Sequence, residues 1–258
     1  AEENLRMIRD TLRFFREKGR AVFFDAEHFF DGFAADEDYA FEVLRTAKEA
    51  GASRLVLCDT NGGTFPEEMA AAVRKAAERF GDIIGVHCHD DIGCAVAGSI
   101  AAVRAGAVQV QGTFLGFGER CGNANLSAII PSLQLKLGLS CVPPESLPEL
   151  TAVARYIGEV SNVVPAPGLP YVGRGAFAHK GGMHIAAVEK CPASFEHIDP
   201  AAVGNEREML LSEMSGRASL LRKVHGIAPW LEKESPETAK LMDMLKRLEH
   251  EGYQFESA

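Results

Sequence analysis

The stretch AGASRLVLCDTNGGTFP (residues 50–66) decides the fold, because it carries the chain from one helix through a strand into the next helix. Gly51 follows the end of an amphipathic helix, where glycine supplies the left-handed turn that returns the chain to a strand. The apolar run at 54–59 predicts a buried strand. The polar loop after it ends at Pro66, a residue that suits the first turn of a helix.

The same unit recurs through the first 140 residues, and Gly106 repeats the Ala-Gly-Ala phrase that surrounds Gly51. Alternating strands and helices predict parallel βα units, either in a doubly wound sheet or in a closed barrel. No GxGxxG segment follows the first strand, which favours the barrel over a dinucleotide-binding sheet. The predicted strands are 21–25, 54–59, 83–87 and 108–113, and the predicted helices are about 37–50, 66–80, 93–105 and 123–136.

Four strands are half of what a (β/α)8 TIM barrel requires, and four parallel strands alone would leave two open sheet edges. We therefore predict the C-terminal half of such a barrel (four βα units, strands 5–8) in residues 1–142. The pattern changes near Pro143, and residues 143–258 are predicted to form a small, mainly helical subdomain. Its predicted helices lie at about 146–160 and 236–250, and a loop with three prolines and three glycines occupies 163–175.

Composition narrows the class of protein. The net charge is −9, with no basic run, which makes nucleic acid or an anionic membrane surface an unlikely partner. No apolar run approaches the roughly 20 residues that span a bilayer. The charged N-terminal segment does not resemble a signal peptide. The six cysteines form no CxxC pair and are interpreted as reduced, mostly buried thiols, so we expect a cytoplasmic protein.

The strongest chemical signal is GVHCHDD (residues 85–91), at the end of the third predicted strand. Residues two apart on a strand share a face, so His87 and His89 can point at one ion while Cys88 points away. Imidazoles at a strand end are a common divalent-metal arrangement, and two carboxylates follow them here. The structural alternative is a pair of hydrogen-bonded core histidines.

A second signal is the glycine-rich loop GFGERCGNAN (residues 116–125) after the fourth strand. Its glycines would let the backbone come close to a ligand, and Asn123 offers a carbonyl oxygen to a metal. The alternative is a structural loop closed by an ion pair between Glu119 and Arg120.

Two further polar motifs stand at strand ends. In FFDAEHFFDG (residues 23–32), Asp25 and Glu27 share a face and form an acidic pair that could accept a proton or hold a substrate's water. In CDTNGGT (residues 58–64), Thr64 could instead cap the following helix. All four motifs fall at the C-terminal ends of strands, which is where parallel α/β folds carry their chemistry.

These motifs resemble, in order, those of the citramalate, 2-isopropylmalate and homocitrate synthase family, metal-dependent barrels related to hydroxymethylglutaryl-CoA lyase. The resemblance covers nearly all of residues 1–225, and its first motif is similar to that of the citramalate branch. It implies condensation of acetyl-CoA with pyruvate to (R)-citramalate, in isoleucine biosynthesis. The alternatives are 2-isopropylmalate synthesis from 2-oxoisovalerate, in leucine biosynthesis, and an inactive scaffold. The matching segments are FDAEHFFDG, LCDTNGG, HCHDD, QGTFLGFGERCGNANL, PYVGRGAFAHKGGMHIAAVEK and EHIDPAAVGN.

The resemblance also implies roles for individual residues. Glu27 and His184 would be catalytic, and His184 would act in the partner's barrel because relatives exchange the helical subdomain across a homodimer. The expected ligands of a divalent metal (Mg, Mn or Zn) are His87, His89 and Asn123. The expected contacts to the oxo acid and to acetyl-CoA are Asp25, Thr60, Asn61, Gly116, Gly118 and Glu119.

Two departures from the family pattern bear on activity. The family's first-strand motif, with its metal-binding aspartate and catalytic arginine, has no counterpart in this sequence. Phe195 stands where relatives place a tyrosine that is thought to partner the catalytic histidine. We therefore expect this chain alone to be inactive.

Overall fold

The strand–helix repeat of the first half of the chain forms a four-stranded parallel sheet. The computed structural model describes residues 1–179, 182–209, 220–221 and 224–253, and it places the strands in sequence order. All three pairings are parallel, which confirms the predicted βα organisation. The strands are β1 (Phe23–Ala26), β2 (Arg54–Asp59), β3 (Ile84–Cys88) and β4 (Gln109–Gln111).

Helices connect these strands within a compact unit formed by Ala1–Val142. The helix predicted at about 123–136 begins later than expected, because Asn125 caps it by accepting a hydrogen bond from the Ser127 amide at 2.9 Å. It continues beyond Pro131 as a π-helical turn, Ser132–Lys136. The helices are α1 (Glu2–Glu17), α2 (Phe29–Ala35), α3 (Glu37–Glu49), α4 (Pro66–Phe80), α5 (Ala95–Arg104) and α6 (Leu126–Pro131).

The short helix α2 was not predicted. It has seven residues, too few to show a helical period, and Gly32 interrupts its apolar pattern. Packing explains why it forms: Phe29 and Phe30 are buried, and the Phe29 ring stacks on Phe33 at 5.6 Å between centroids.

The core lies between the sheet and the helices that cover it. Side chains from β2 and β3 meet residues of α3 and α4 in one apolar cluster, and burial of each large side chain contributes about 1.5–3 kcal/mol. The predicted glycine turns are present, with φ of +100° at Gly51 and +118° at Gly106. Members of the cluster that are fully buried include Phe41, Leu44, Leu55, Leu57, Val73, Ile84 and Val86.

A second unit, Pro143–Ala258, is built mainly from helices. Its helix α7 (Leu150–Ser161) is joined to the 3-10 turn Pro200–Val203 by the buried Thr151 hydroxyl, which donates to the Val203 carbonyl at 2.7 Å. The segment predicted as an irregular loop, 163–175, contains no helix or strand. The described part of this unit also contains β5 (Ala178–His179), α8 (Gly182–Lys190), β6 (Glu208–Met209), which pairs in parallel with β5, α9 (Pro236–His250), and the 3-10 helices Pro144–Glu149 and Pro192–Ser194.

Two properties concern the chain as a whole. In the part that the structure describes, none of the helices combines the length and hydropathy needed to cross a bilayer. The six cysteines are free, but the expectation that most are buried is wrong: Cys58 and Cys88 are buried, Cys94 is half-buried, and the others are exposed. The three exposed cysteines are Cys121, Cys141 and Cys191.

Candidate functional site at the carboxyl ends of the strands

The two histidines at the end of β3 lie side by side. The rings of His87 and His89 are 5.3 Å apart between centroids and tilted by 41°. Cys88 points to the opposite face, where it is buried and its Sγ lies 3.6 Å from the Met69 sulfur on α4. Burial raises the pKa of the Cys88 thiol to about 12, so this sulfur belongs to the helix layer and not to the polar site. Strand alternation therefore separates the imidazoles from the thiol, as the sequence predicts.

Two buried polar atoms at this strand end have no hydrogen-bond partner. They are the Nδ1 of His89 and the Oδ1 of Asn123, and the two residues face each other in an isolated antiparallel bridge. The amide nitrogen of Asn123 is occupied, because it donates to the Phe117 carbonyl at 3.0 Å. A nitrogen lone pair and a carbonyl oxygen are both ligands for a divalent cation. The residues present therefore fit a metal ion, which would satisfy both atoms.

The described residues offer few groups that could bind a metal. Across the described residues, no group of three or more His, Cys, Asp and Glu is placed to hold a metal ion. The imidazoles and the Asn123 amide are neutral ligands, and hard cations such as Mg²⁺ prefer at least one carboxylate. The described residues therefore do not by themselves supply a complete coordination shell.

The Gln111 side chain connects His87 to β1. Its Oε1 lies 2.8 Å from His87 Nδ1, and its Nε2 donates to Asp25 Oδ1 at 3.1 Å. Asp25 lies on β1 and Gln111 on β4, so the outermost strands of the sheet touch through their side chains. Sequence reasoning missed Gln111, because its partners lie 24 and 86 residues away.

The two aspartates after the histidines have structural contacts of their own. Asp90 accepts a hydrogen bond at 2.8 Å from the amide of Ala95, the first residue of helix α5, and so satisfies one of the free amides at the start of this helix. Asp91 forms a bidentate ion pair with Arg120, at 2.8 and 3.0 Å. The guanidinium holds the pKa of the Asp91 carboxyl below its usual range. The alternative prediction of an ion pair between Glu119 and Arg120 is wrong, because Arg120 pairs with Asp91.

Arg120 also fixes the neighbouring loop. Its Nη2 donates to the Thr60 carbonyl at 2.7 Å, so a single guanidinium joins the segments that follow β2, β3 and β4. Neither Arg120 nor Asp91 was selected as a site residue from the sequence. The signal was present, since an arginine within a glycine-rich loop and an aspartate after a strand are natural partners, but their 29-residue separation hides the pairing.

The first two polar motifs form one hydrogen-bonded cluster. The Thr60 hydroxyl donates to Glu27 Oε2 at 2.8 Å and accepts from the His28 amide at 2.8 Å. Asn61 donates through Nδ2 to Asp31 at 2.9 Å. The structure therefore brings Glu27, Thr60 and Asn61 together at the ends of β1 and β2.

Thr64 does not cap helix α4, in contrast to the alternative raised from the sequence. That helix begins at Pro66 with Phe65 as its N-cap residue, and the Thr64 hydroxyl donates to Asp59 Oδ1 at 2.8 Å. Asp59 is buried, and burial raises the pKa of its carboxyl. The helix starts one residue later than a threonine cap requires, because Thr64 is held by Asp59 at the end of β2.

The glycine-rich loop after β4 approaches itself closely. Gly116, Gly118 and Gly122 have φ of +75°, +158° and +95°, values that disfavour other residues. A Cβ at Gly118 would lie 2.1 Å from the Asn123 amide nitrogen. These glycines therefore hold Asn123 in place. Glu119 is exposed, and its carbonyl accepts from the Gly122 amide at 2.8 Å.

His184 belongs to the second unit. It is exposed on helix α8, and its ring stacks on Phe195 with centroids 4.5 Å apart. Of the glycines before it, Gly181 lies outside the described residues. Ten of the eleven predicted site residues lie in the unit Ala1–Val142, and the eleventh, His184, lies in the unit Pro143–Ala258.

This arrangement defines a class of protein: a TIM-barrel-type α/β fold with a polar site at the carboxyl ends of parallel strands. The HMGL-like family model matches residues 1–157, and a second model, described as homocitrate synthase post-HMGL domain-like, matches residues 171–252. The chain belongs to the HMGL-like family, whose members are generally dependent on a divalent metal.

The chain is similar in sequence to proteins named (R)-citramalate synthase and similar in fold to a hydroxymethylglutaryl-CoA lyase. An (R)-citramalate synthase of Aquifex aeolicus is 49% identical over 258 residues, which are 100% of this chain and 49% of the relative. An (R)-citramalate synthase of Synechocystis is 48% identical over 264 residues, covering 99% of this chain and 48% of the relative. The crystal structure of a hydroxymethylglutaryl-CoA lyase from Pseudomonas aeruginosa aligns with a TM-score of 0.53 and 18% sequence identity. The alignment covers 64% of this chain and 57% of the lyase chain, and it supports the fold alone. The chain spans about half the length of the curated relatives it matches.

Proposed function

We propose that the chain is the site-bearing part of an acyltransferase that condenses acetyl-CoA with pyruvate to give (R)-citramalate and CoA. The two relatives named (R)-citramalate synthase support this reaction, since each is nearly 50% identical across the chain. In chemical terms, a base takes a proton from the methyl group of acetyl-CoA, and the resulting enolate carbon bonds to the pyruvate carbonyl carbon. The carbonyl π bond breaks, and its oxygen takes up a proton to become the hydroxyl group of the product. Water then hydrolyses the thioester and releases CoA.

The four parallel strands are, in this proposal, the second half of a (β/α)8 barrel. Two features support it. Among the described residues, β1 and β4 each pair on one side only, and open parallel edges are what a second half-barrel would cover. In addition, the polar motifs gather at the carboxyl ends of the strands, the end at which barrels of this kind bind their ligands.

His87, His89 and Asn123 are proposed to hold a divalent cation, with Mg, Mn and Zn as the candidates. A bound cation would hold the 2-oxo acid and polarise its carbonyl group. The observation that carries this proposal is the pair of unpartnered buried atoms, His89 Nδ1 and Asn123 Oδ1. An unpaired buried polar atom costs about 1–3 kcal/mol, so two of them at one strand end indicate a ligand.

The residues around the cation position are proposed to handle substrate and protons. Glu27 is a candidate proton acceptor, and the Thr60 hydroxyl orients its carboxylate. The oxo acid would face Asp25, Thr60 and Asn61. These residues would offer hydrogen bonds to its carboxylate and carbonyl groups. The loop of Gly116, Gly118 and Glu119 would face the acyl-CoA.

His184 is proposed to act as a catalytic histidine in the barrel of a second copy, within a homodimer that exchanges the helical units. The exposure of the ring on α8 supports this role, because a ring that acts outside its own unit must be accessible. Stacking on Phe195 orients the ring but offers it no hydrogen bond.

The proposed reaction is tested in a chimera in which residues 1–258 replace the matching stretch of the Aquifex aeolicus relative. Release of CoA thiol from acetyl-CoA is measured with pyruvate and with 2-oxoisovalerate. We expect release that requires pyruvate and stops when EDTA removes the metal. Preference for 2-oxoisovalerate would replace citramalate by isopropylmalate synthesis, and no release with either acceptor would overturn the proposal.

Two controls accompany this assay. The His89→Ala variant of the chimera is expected to lose turnover, whereas His225→Ala, an exposed histidine of the second unit, is expected to retain it. The isolated chain is expected to release no thiol, because its described residues supply no carboxylate to a cation-binding group. Measurable turnover by the isolated chain would contradict the proposed division of the site.

A further inference from the structure

The contact between Gln111 and His87 is built into the sheet. Parallel register places Gln111 of β4 directly beside His87 of β3, and the Gln111 side chain then reaches across to Asp25 of β1. The three side chains form a chain of two hydrogen bonds, 2.8 Å at the imidazole and 3.1 Å at the carboxylate. One end of this hydrogen-bonded series is His87, a proposed metal ligand.

The carboxylate determines which way the Gln111 amide points. An ionised carboxylate only accepts hydrogen bonds, so the end of the amide that faces Asp25 must be the donating NH₂ group. The carbonyl oxygen therefore faces His87. Because that oxygen can only accept, the Nδ1 of His87 must carry the proton.

A neutral imidazole that is protonated at Nδ1 has its lone pair on Nε2. The opposite amide orientation would place Oε1 against the Asp25 carboxylate and would point an N–H toward the Nδ1 of His87. The imidazole proton would then move to Nε2, and the ring would present a donor where a cation requires a lone pair. The hydrogen-bond chain thus decides which nitrogen of His87 can bind a metal.

We infer that Gln111, oriented by Asp25, is a positioning residue that holds His87 as its Nδ1–H tautomer and keeps Nε2 available to a divalent cation. The inference rests on the proposed metal site. It also gives Asp25 a second task beside the proposed contact to the oxo acid. Metal-binding histidines commonly donate their other ring N–H to a protein acceptor, and loss of that acceptor lowers metal affinity about 10–100-fold.

The tautomer is read directly from the ¹⁵N chemical shifts of the histidine side chains in the metal-free chain at about pH 8, where an ordinary imidazole is neutral. The His87 signals are assigned by their absence in His87→Gln. We expect a protonated, pyrrole-type Nδ1 and a pyridine-type Nε2 in the wild-type chain. In Gln111→Leu, His87 is expected to shift toward the Nε2–H tautomer that free histidine favours in water.

Gln109→Leu is the matched control, because Gln109 lies two residues earlier on the same strand and its Oε1 is buried without a partner. It should leave the His87 spectrum unchanged. Asp25→Asn is a graded variant: an amide at position 25 still accepts from Gln111 but no longer forbids the opposite orientation, so a mixture of tautomers is expected.

The same substitutions are then made in the chimera, which supplies the remaining strands, and calorimetric titration with Mn²⁺ connects the tautomer to binding. Gln111→Leu should weaken Mn²⁺ binding about 10–100-fold, and Gln109→Leu should not weaken it. A wild-type His87 that carries its proton on Nε2, or a tautomer that Gln111→Leu leaves unchanged, would overturn the inference. Failure of the unsubstituted chimera to bind Mn²⁺ while His87 in the chain remains protonated at Nδ1 would instead count against the proposed function and would support the tautomer assignment.

Discussion

Replacing Gly122 by alanine should destabilise the first unit far more than the same change at Gly93. Both glycines have positive φ, +95° and +72°, and an alanine in this region costs about 1–2 kcal/mol. The two positions differ in the space around the added methyl group. At Gly122 an ideal Cβ would lie 1.9 Å from the Gly116 carbonyl oxygen, whereas at Gly93 no heavy atom lies within 4 Å.

The clash adds a second contribution at Gly122 alone. The atom in the way belongs to the backbone, so relief requires the loop to open and breaks the hydrogen bond from the Asn123 amide to the Gly116 carbonyl. Forcing a methyl group into an occupied space costs about 1–3 kcal/mol. We therefore expect a loss of about 2–5 kcal/mol in the free energy of unfolding for Gly122→Ala and about 1–2 kcal/mol for Gly93→Ala.

Urea unfolding followed by far-UV circular dichroism measures both losses, and Trp230 fluorescence reports separately on the second unit, in which the tryptophan lies. The midpoint should fall in both variants and should fall further in Gly122→Ala. Equal losses in the free energy of unfolding at the two glycines would refute the reasoning. Strain at positive φ would then account for the whole loss, and the clash with the Gly116 carbonyl would contribute none of it.

Three further predictions concern the ion pairs and the thiols. Arg120→Lys keeps the positive charge but loses the bidentate hydrogen bonds to Asp91. Amide hydrogen exchange should therefore accelerate in the loops after β2 and β3. Exchange rates in these loops that equal those of a variant with an exposed arginine of α4 replaced by lysine would contradict this prediction. Hydrogen bonds from Arg207 and, to a smaller extent, from His179 hold the pKa of the Glu196 carboxyl below its ordinary value. The ionised Glu196 carboxylate therefore stabilises the second unit above about pH 4.3, and this stabilisation is lost as the pH falls through the lowered pKa. Glu196→Gln should make the free energy of unfolding, followed by Trp230 fluorescence, less dependent on pH in this acidic range. The buried thiols Cys58 and Cys88 should react with DTNB only after unfolding, because burial raises the pKa of each; labelling in the native state would show that the sheet opens.

The elements that could be predicted are those whose signal is local. The apolar run of β2 and the amphipathic pattern of α9 gave their bounds directly, since Arg54–Asp59 and Pro236–His250 coincide with the predicted ranges. Helix α2 could not be predicted, because it is stabilised by phenylalanine packing and not by its own periodicity. Propensity within seven residues is too weak to outweigh that tertiary contribution.

The candidate site divides in the same way. The alternation of His87, Cys88 and His89 follows from strand geometry and was predictable from three consecutive letters. The partners of those side chains were not. Although Glu119 is adjacent, Arg120 bonds to Asp91, a residue of the loop after β3 that lies 29 positions away in the sequence. Contacts of this kind are set by the register of parallel strands, which a single sequence does not specify.

At the carboxyl end of β3, side chains that have hydrogen-bond partners differ from those that retain an unpaired buried atom. Asp90 and Asp91 look as suitable for a metal as the histidines before them, yet each is committed to a hydrogen bond or an ion pair that organises the loops. His89 and Asn123 retain a buried atom each that the protein leaves unpaired. A fold that supplies partners to both neighbouring carboxylates has the means to supply them to these two atoms as well. Because such unpaired atoms cost free energy in the isolated chain, their persistence at one strand end is the physical reason to place the ligand there.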